Sequence, residues 1–548
     1  MADLETYQAA QSPLPTQITR WHLHGAGLDA LDSATIPLPA YGPDELLVRH
    51  DACGICFSDI KIINLGPEHP RLQGRDMGRD PVVMGHEVAL TVVGVGDNVK
   101  DKFQIGRRFI IQADVYYQGA NVAYGYQLPG GMAQYGVITH EVLEGDEGCY
   151  LLPIADTTGY AEAALVEPWA CVVAAYEYPN YRDGLLDKGK TLIVNVNTSL
   201  YGDEVRGLYP PGHQPADVVT IDNVPDTDFD TLRAEETGGK GFDDIVVYGT
   251  PAPEDLGRIL TCLGSKGVLN LIQDRPLTGT VPTDVGRIHY EQHLLIGTDD
   301  PAKAAGAYSS NTRTDLLPGG TAWFVGAGGP MGQMHVQRAV MLDNPPKTIV
   351  VTDVSDDRLG RIQTRFGKIM AEKNITLHLV NPKEGGDPSR FGPYDDIVSM
   401  VPVASVIEES IPHLAVNGVY NIFAGLAKGT MAQLEIGTIL AKNQRIVGTS
   451  GSSIADLRHT LELVETDALS TNASLAAIGG LPAFRDGLAA VKEGRFPGKT
   501  VIFPHIADLP LMSIDDIKAN LPEVYAKMQD GLFWTVAAEQ ELLREKLD

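Results

Sequence analysis

The sequence predicts an α/β protein: a strand-rich N-terminal region followed by two doubly wound parallel-sheet domains in tandem. Three observations carry this. From about residue 17 to 147 the chain breaks into short β-branched runs, "DELLVRHDAC", "EVALTVVGVG" and "RRFIIQADVYY", separated by Gly, Asp and Asn. From about Lys190 apolar runs such as "TLIVNV", "DDIVVYG" and "GVLNLI" alternate with helical stretches, the pattern of βαβ units. That second region also repeats itself: Phe242–Ile272 resembles Tyr394–Phe423, and "HLLIGTDD" at His293 matches "QRIVGTSG" at Gln444, which sets Gly297 and Gly448 151 residues apart.

The 548 residues leave room for several domains, expected at 1–187 (completed by 480–548), 188–318 and 319–479. A formal net charge of −28 weighs against nucleic acid or an anionic membrane as partner, since both call for basic surfaces. Five cysteines do not make a disulfide framework. The N-terminus "MADLETYQAAQSPLPTQITRW" has no basic segment and no apolar core, and no apolar run nears the roughly 20 residues that span a membrane. A cytoplasmic protein acting on a small molecule is the expectation.

In the second copy the strand "TAWFV" feeds "GAGGPMG", which supplies Gly326, Gly328, Gly329, Pro330, Met331 and Gly332 at the start of a helix. Backbone N–H groups there suit the pyrophosphate of a dinucleotide. The turn is one residue longer than G-x-G-x-x-G, which leaves open which glycines make the close approach. The next strand, "TIVVTD", ends in Asp353, 25 residues after Gly328, the interval expected of the acid that holds the ribose hydroxyls. A carboxylate there repels a 2′-phosphate and favours NAD over NADP; the alternative is a helix-capping Asp. Arg358 is a further candidate for cofactor contact. In the first copy "KTLIVNV" at Lys190 matches "GTAWFVG" at Gly320, which sets Val196 opposite Gly326 and Thr198 opposite Gly328. Only Gly202, opposite Gly332, survives. Side chains at the first two positions block a dinucleotide, so the first copy is expected to be structural.

The N-terminal region also offers metal-ligand residue types: Cys53, Cys56, Ser58 and Asp59 in "CGICFSD", His86 and Glu87 in "MGHE", and Glu167 and Cys171 in "LVEPWAC". Singly, each has an ordinary use inside a fold. Together and in this order, with the glycine turn and the closing segment Ala483–Phe503, they resemble the zinc-dependent medium-chain alcohol and polyol dehydrogenases. The resemblance implies a GroES-like catalytic domain and a Rossmann domain that binds NAD. It implies one catalytic zinc on Cys56, His86 and Glu167, with Glu87 either a fourth ligand or a group that swings in, and one position left open. Asp59 would orient His86. The structural-zinc lobe of many relatives needs four close cysteines after G-H-E; none lies between His86 and Glu147, so no structural zinc is expected. Ser58 would take the substrate proton as hydride passes to NAD. Many relatives relay that proton to a His five residues after the zinc Cys; here Lys61 stands there, and it either relays, holds an anionic group or is solvated.

Glu at the third ligand position resembles sorbitol- and threonine-type members, which favours a secondary alcohol on a polyol, sugar or sugar phosphate. The turn and "CFSDIK" look closest to sorbose-1-phosphate-reductase-like members, expected to be shorter and to lack the extra domain. In the loop Pro67–Pro81, Arg71, Arg75 and Arg79 either clamp a phosphate or pair internally with Glu68, Asp76 and Asp80. The alternatives are an amino-alcohol or simple secondary-alcohol dehydrogenase, and a non-catalytic dinucleotide-binding scaffold. A homo-oligomer is one expectation. The other is a pseudo-dimer within one chain, the first copy filling a partner's place and covering a sheet edge. Leu532, Val536, Leu543 and Leu547 are read as the apolar face of a C-terminal helix.

Overall fold

The computed structural model describes residues 4–178, 181–196, 205, 207–449 and 451–547. Thr198 and Gly202 lie outside them. The chain forms two compact units, Met1–Val173 with Ser452–Asp548, and Ala174–Gly451. Both parallel sheets fall in the second unit.

In the first unit β1 (Gln17–Leu23) and β2 (Leu31–Pro37) make an antiparallel ribbon. The central strand is β3 (Leu46–Ile55), all ten residues of which are buried. It pairs with β4 (Glu87–Val95) along one edge and with Tyr135–Ile138 and Lys499–Phe503 along the other. Its buried polar residues stand because they are satisfied. Arg49 Nε donates to Asp51 Oδ1 at 2.6 Å, and the same carboxylate accepts from the Tyr7 hydroxyl at 2.9 Å and from Thr91 Oγ1 at 2.5 Å. After β3 the chain turns into α1 (Phe57–Leu65), whose first turn is fixed where Asp59 Oδ2 accepts from the Cys56 N–H at 2.8 Å. Glu167 lies on α2 (Val166–Ala174).

In the second unit the first parallel sheet is built from β5 (Lys190–Asn195), β6 (Asp217–Ile221), β7 (Phe242–Tyr248) and β8 (Leu263–Ile272). A short strand β9 (Val281–Asp284) and a helix α3 (Val285–Glu291) lead to its edge strand, β10 (Leu294–Thr298). The second sheet begins with β11 (Thr321–Val325), α4 (Pro330–Met341), β12 (Thr348–Thr352), α5 (Asp356–Glu372), β13 (Thr376–Val380), β14 (Tyr394–Ser399) and β15 (Leu414–Ile422). It closes with β16 (Met431–Leu434), α6 (Ile436–Ala441) and β17 (Arg445–Gly448). The sheet orders are β6-β5-β7-β8-β10 and β13-β12-β11-β14-β15-β17, parallel throughout. In both, the order reverses beside the strand that feeds the first turn, β5 or β11, where doubly wound folds form their crevice. The α/β class expected from the sequence holds.

The two copies meet symmetrically. β9 pairs antiparallel with β16, Val281 with Leu434 and Asp284 with Met431; at the centre Pro282 pairs with Gln433, its own counterpart in the 151-residue repeat. A Cβ on Gly297 would lie 2.9 Å from Leu440 Cδ1, and a Cβ on its counterpart Gly448 would lie 2.7 Å from His289 Cα, the counterpart of Leu440. Contacts exchanged in this way have the form of an isologous twofold interface, here made within one chain. One apolar core, from Leu192 and Leu295 to Trp323 and Ile446, runs through both copies.

At the C-terminus the helix spans Val536–Lys546 and buries Ala538, Glu539, Leu542 and Leu543. Of the face read in the sequence, Leu543 and Leu547 are buried, Val536 is part-buried, and Leu532 precedes the helix. The Glu539 carboxylate accepts from the N–H groups of Tyr160 and Ala161 at 2.6 and 2.7 Å and caps the helix they begin. No helix among the described residues is long and apolar enough to cross a membrane.

Candidate active site

Strand register assembles the first group of site residues. Glu87 opens β4 directly opposite Gly54 near the end of β3, so His86 and Cys56 fall beside each other. The ligand atoms of Cys56, His86 and Glu87 all lie within 4.8 Å of one another. His86 Nε2 is 3.1 Å from Ser58 Oγ, and its Nδ1 faces Asp59 Oδ1 at 3.6 Å. A proton on Nδ1, held toward the carboxylate, leaves Nε2 free to ligate. Burial opposes the charged imidazole, but Tyr126 and Asp59 outweigh it and hold the His86 pKa well above its ordinary value.

Glu87 is divided between two tasks. Its Oε1 accepts from Lys499 Nζ at 2.5 Å, and Lys499 also donates to the Ile55 carbonyl at 3.2 Å. Both side chains are buried. Glu87 Oε2 has no hydrogen-bond partner, and a Cβ on Gly54 would sit 2.0 Å from it, so only glycine fits opposite. His86 Nδ1 and Asp59 Oδ1 face each other just beyond hydrogen-bond distance, and Glu87 Oε2 is a buried oxygen with no hydrogen bond among the described residues; beside them stand sulfur, nitrogen and oxygen donors. That donor set suits zinc.

Glu167 does not join the group within 4.8 Å. It stands in the same field: burial pushes its carboxyl up to about 7, with His86 lowering it and Glu87 raising it. Cys53 is buried in the strand, its thiol 3.7 Å from the Gly54 carbonyl. Cys171 is pushed well up by burial, then by Glu167 and Cys56.

Tyr126 belongs to this site and carries no signal in the sequence. Its ring lies 5.6 Å from those of His86 and His69. Burial raises the Tyr126 pKa, with His86 and Ser58 lowering it. Lys61 is exposed, three residues beyond Ser58 on the same face of α1. The three arginines of the 67–81 loop separate. Arg75 anchors the loop, donating to the carbonyls of Tyr126 and Gln127 at 2.9 Å and to Asp80 Oδ1 at 3.0 Å. Arg79 pairs with Asp76 at 3.5 Å in solvent. Arg71 pairs with Asp114 at 2.6 Å, its Cζ 5.0 Å from the centre of the Tyr126 ring.

The second group sits on the second parallel sheet. Gly326 turns at φ 69° after β11. A Cβ on Gly328 would lie 2.6 Å from Asp353 Oδ2 and 2.7 Å from Arg358 Cβ, and one on Gly332 would lie 2.3 Å from Ala327 Cα. Nothing stands within 4 Å of the same position on Gly329, so Gly329 is the added residue of the turn. It caps α4, with Pro330 and Met331 opening the helix. Asp353, just past β12, accepts from the Gly328 N–H at 2.9 Å and the Ser355 N–H at 3.1 Å. The cap of α5 is Ser355, not Asp353.

Known proteins match this arrangement. The alcohol dehydrogenase GroES-like domain matches residues 42–145, which hold Cys56, Ser58, His86 and Tyr126. The 2R,3R-butanediol dehydrogenase of Bacillus subtilis shares the fold, with a TM-score of 0.51 and 17% identity over 89% of this chain and 99% of that one. The L-sorbose 1-phosphate reductase of Klebsiella pneumoniae is 30% identical over 301 residues, 48% of this chain and 71% of the reductase. The chain belongs to the medium-chain dehydrogenase/reductase family. It is therefore an oxidoreductase of the alcohol and polyol dehydrogenase type. The mannitol-1-phosphate 5-dehydrogenase of Aliivibrio fischeri is 25% identical over 529 residues, 93% of this dehydrogenase and 94% of the relative. This match runs along nearly the whole of both chains, whereas that to the L-sorbose 1-phosphate reductase covers about half of this one.

Proposed function

We propose that this dehydrogenase uses one zinc and NAD to interconvert a secondary alcohol and a ketone on a polyol, sugar or sugar phosphate. The observation that carries the reading is Ser58 Oγ at 3.1 Å from His86 Nε2. A hydroxyl able to take a proton thus stands beside the nitrogen that faces the metal position. Cys56 and His86, with oxygen from Glu87 or Glu167, would hold the zinc, which would supply a Lewis acid for the alcohol or ketone oxygen. Asp59 fixes the tautomer and direction of His86. Ser58 accepts the substrate hydroxyl proton, with Tyr126 close by. NAD would supply the acceptor for the carbinol hydride, so one proton and one hydride account for the oxidation.

The turn from Gly326 to Gly332 would offer the pyrophosphate the N–H groups of Gly329, Met331 and Gly332 at the start of α4, the Gly328 N–H being held by Asp353. Asp353 beside it serves the ribose hydroxyls and repels a 2′-phosphate, with Arg358 close by. Two relatives named for phosphorylated substrates support the polyol and sugar-phosphate class. The test is the initial rate of NAD and NADP reduction against hexitols, pentitols and their phosphates, with and without a zinc chelator. A chelator-sensitive rate that is faster with NAD is expected. No rate with any member of the panel, in protein that holds zinc, would move the reading to an amino alcohol or a simple secondary alcohol.

A further inference from the structure

We infer that Arg71, with His69 beside it and Lys61 on the Ser58 face of α1, receives the phosphate of the substrate, which makes a polyol or ketose phosphate the preferred substrate over the free sugar alcohol. The inference rests on the dehydrogenase reading above and narrows its substrate class. Its basis is the separation of three arginines that look alike in sequence. Arg75 is spent on backbone carbonyls and Arg79 on a solvent pair, whereas Arg71 is directed at the site.

Tyr126 connects the two ends. Its ring is 5.6 Å from the His86 ring and 5.0 Å from Arg71 Cζ, so one aromatic ring separates the guanidinium from the metal-facing imidazole. The carbon chain of a hexitol covers such a separation. The backbone is tied in place: Gln127 Nε2 donates to the Arg71 carbonyl at 2.6 Å, and His69 Nδ1 accepts from the Arg71 N–H at 3.2 Å. Arg71 and Asp114 are each about a third exposed, so the guanidinium is held in position without being enclosed. Its other donors have no partner among the described residues, which leaves part of its fork for an anion. Lys61 lies exposed on the Ser58 face of α1.

The test is calorimetric binding of mannitol 1-phosphate and sorbitol 6-phosphate, each against its free hexitol, to the zinc-loaded chain with NAD. The phosphates are expected to bind at least about tenfold more tightly, the worth of one charged hydrogen-bonded contact. Arg71→Ala should remove most of that advantage and leave the free hexitols unchanged, with Arg71→Lys recovering part of it. Lys61→Ala, on an exposed helical position, should weaken the phosphates alone and by less. Equal binding of phosphate and free hexitol by the unaltered chain would overturn the inference, as would equal losses for both in Arg71→Ala. Phosphate-dependent binding without NAD reduction would keep the subsite and end the dehydrogenase reading; NAD reduction indifferent to phosphate and to Arg71 would do the reverse.

Discussion

Ser58→Ala lowers kcat by about 10²–10⁴-fold, the range that general acid–base groups supply, while zinc content and substrate affinity stay close to those of the unaltered chain. The reason is position. Ser58 Oγ is 3.1 Å from His86 Nε2, and the residue is only half-buried. Without it the substrate proton has no acceptor beside the metal position. The fall should be seen in kcat and kcat/KM together, because the interaction is made as the proton moves. Tyr126→Phe should give a smaller fall of the same kind. A Ser58→Ala enzyme with an unaltered kcat in both directions would show that the proton leaves by another route.

Lys499→Met destabilises the zinc-free chain by about 3–5 kcal/mol, the cost of leaving one partner of a buried ion pair uncompensated. Lys499 and Glu87 are both buried and 2.5 Å apart, and the carboxylate fills the space that a Cβ on Gly54 would take. Glu87→Gln combined with Lys499→Met removes both charges and should recover much of the loss, since an unpaired charge rather than a missing attraction is the larger penalty. Urea denaturation of the two variants in chelator checks this. A single Lys499→Met variant as stable as the unaltered chain would mean that Glu87 takes up a proton at little cost and that the pair does not hold the site together.

Much of the arrangement was legible because it depends on local pattern. Alternation of apolar runs and helices marked both parallel sheets, and the 151-residue repeat marked two copies. Cys56, His86 and Asp59 were legible as a set through their motifs, and the structure shows why: the pairing of Gly54 with Glu87 delivers both motifs to one place. What was hidden depends on tertiary contact. Lys499 follows Glu87 by 412 residues and reaches it only because the closing strand pairs with β3, Thr500 opposite Ile55. Tyr126 lies in a stretch without motif, and its place is set by carbonyls bonded to Arg75. Arg71, Arg75 and Arg79 share one loop and one chemistry, so only their partners distinguish them. In the turn, the sequence shows four glycines; only the neighbours Asp353, Arg358 and Ala327 reveal which are crowded and which is the added one.

The most direct measurement is the zinc content of the purified chain and of Cys56→Ser, taken on the same samples as the rate of NAD reduction with the best member of the panel. One zinc per chain is expected, lost in Cys56→Ser together with the rate. A zinc-free chain that reduces NAD at full rate, or a Cys56→Ser chain that keeps both its zinc and its rate, would contradict it.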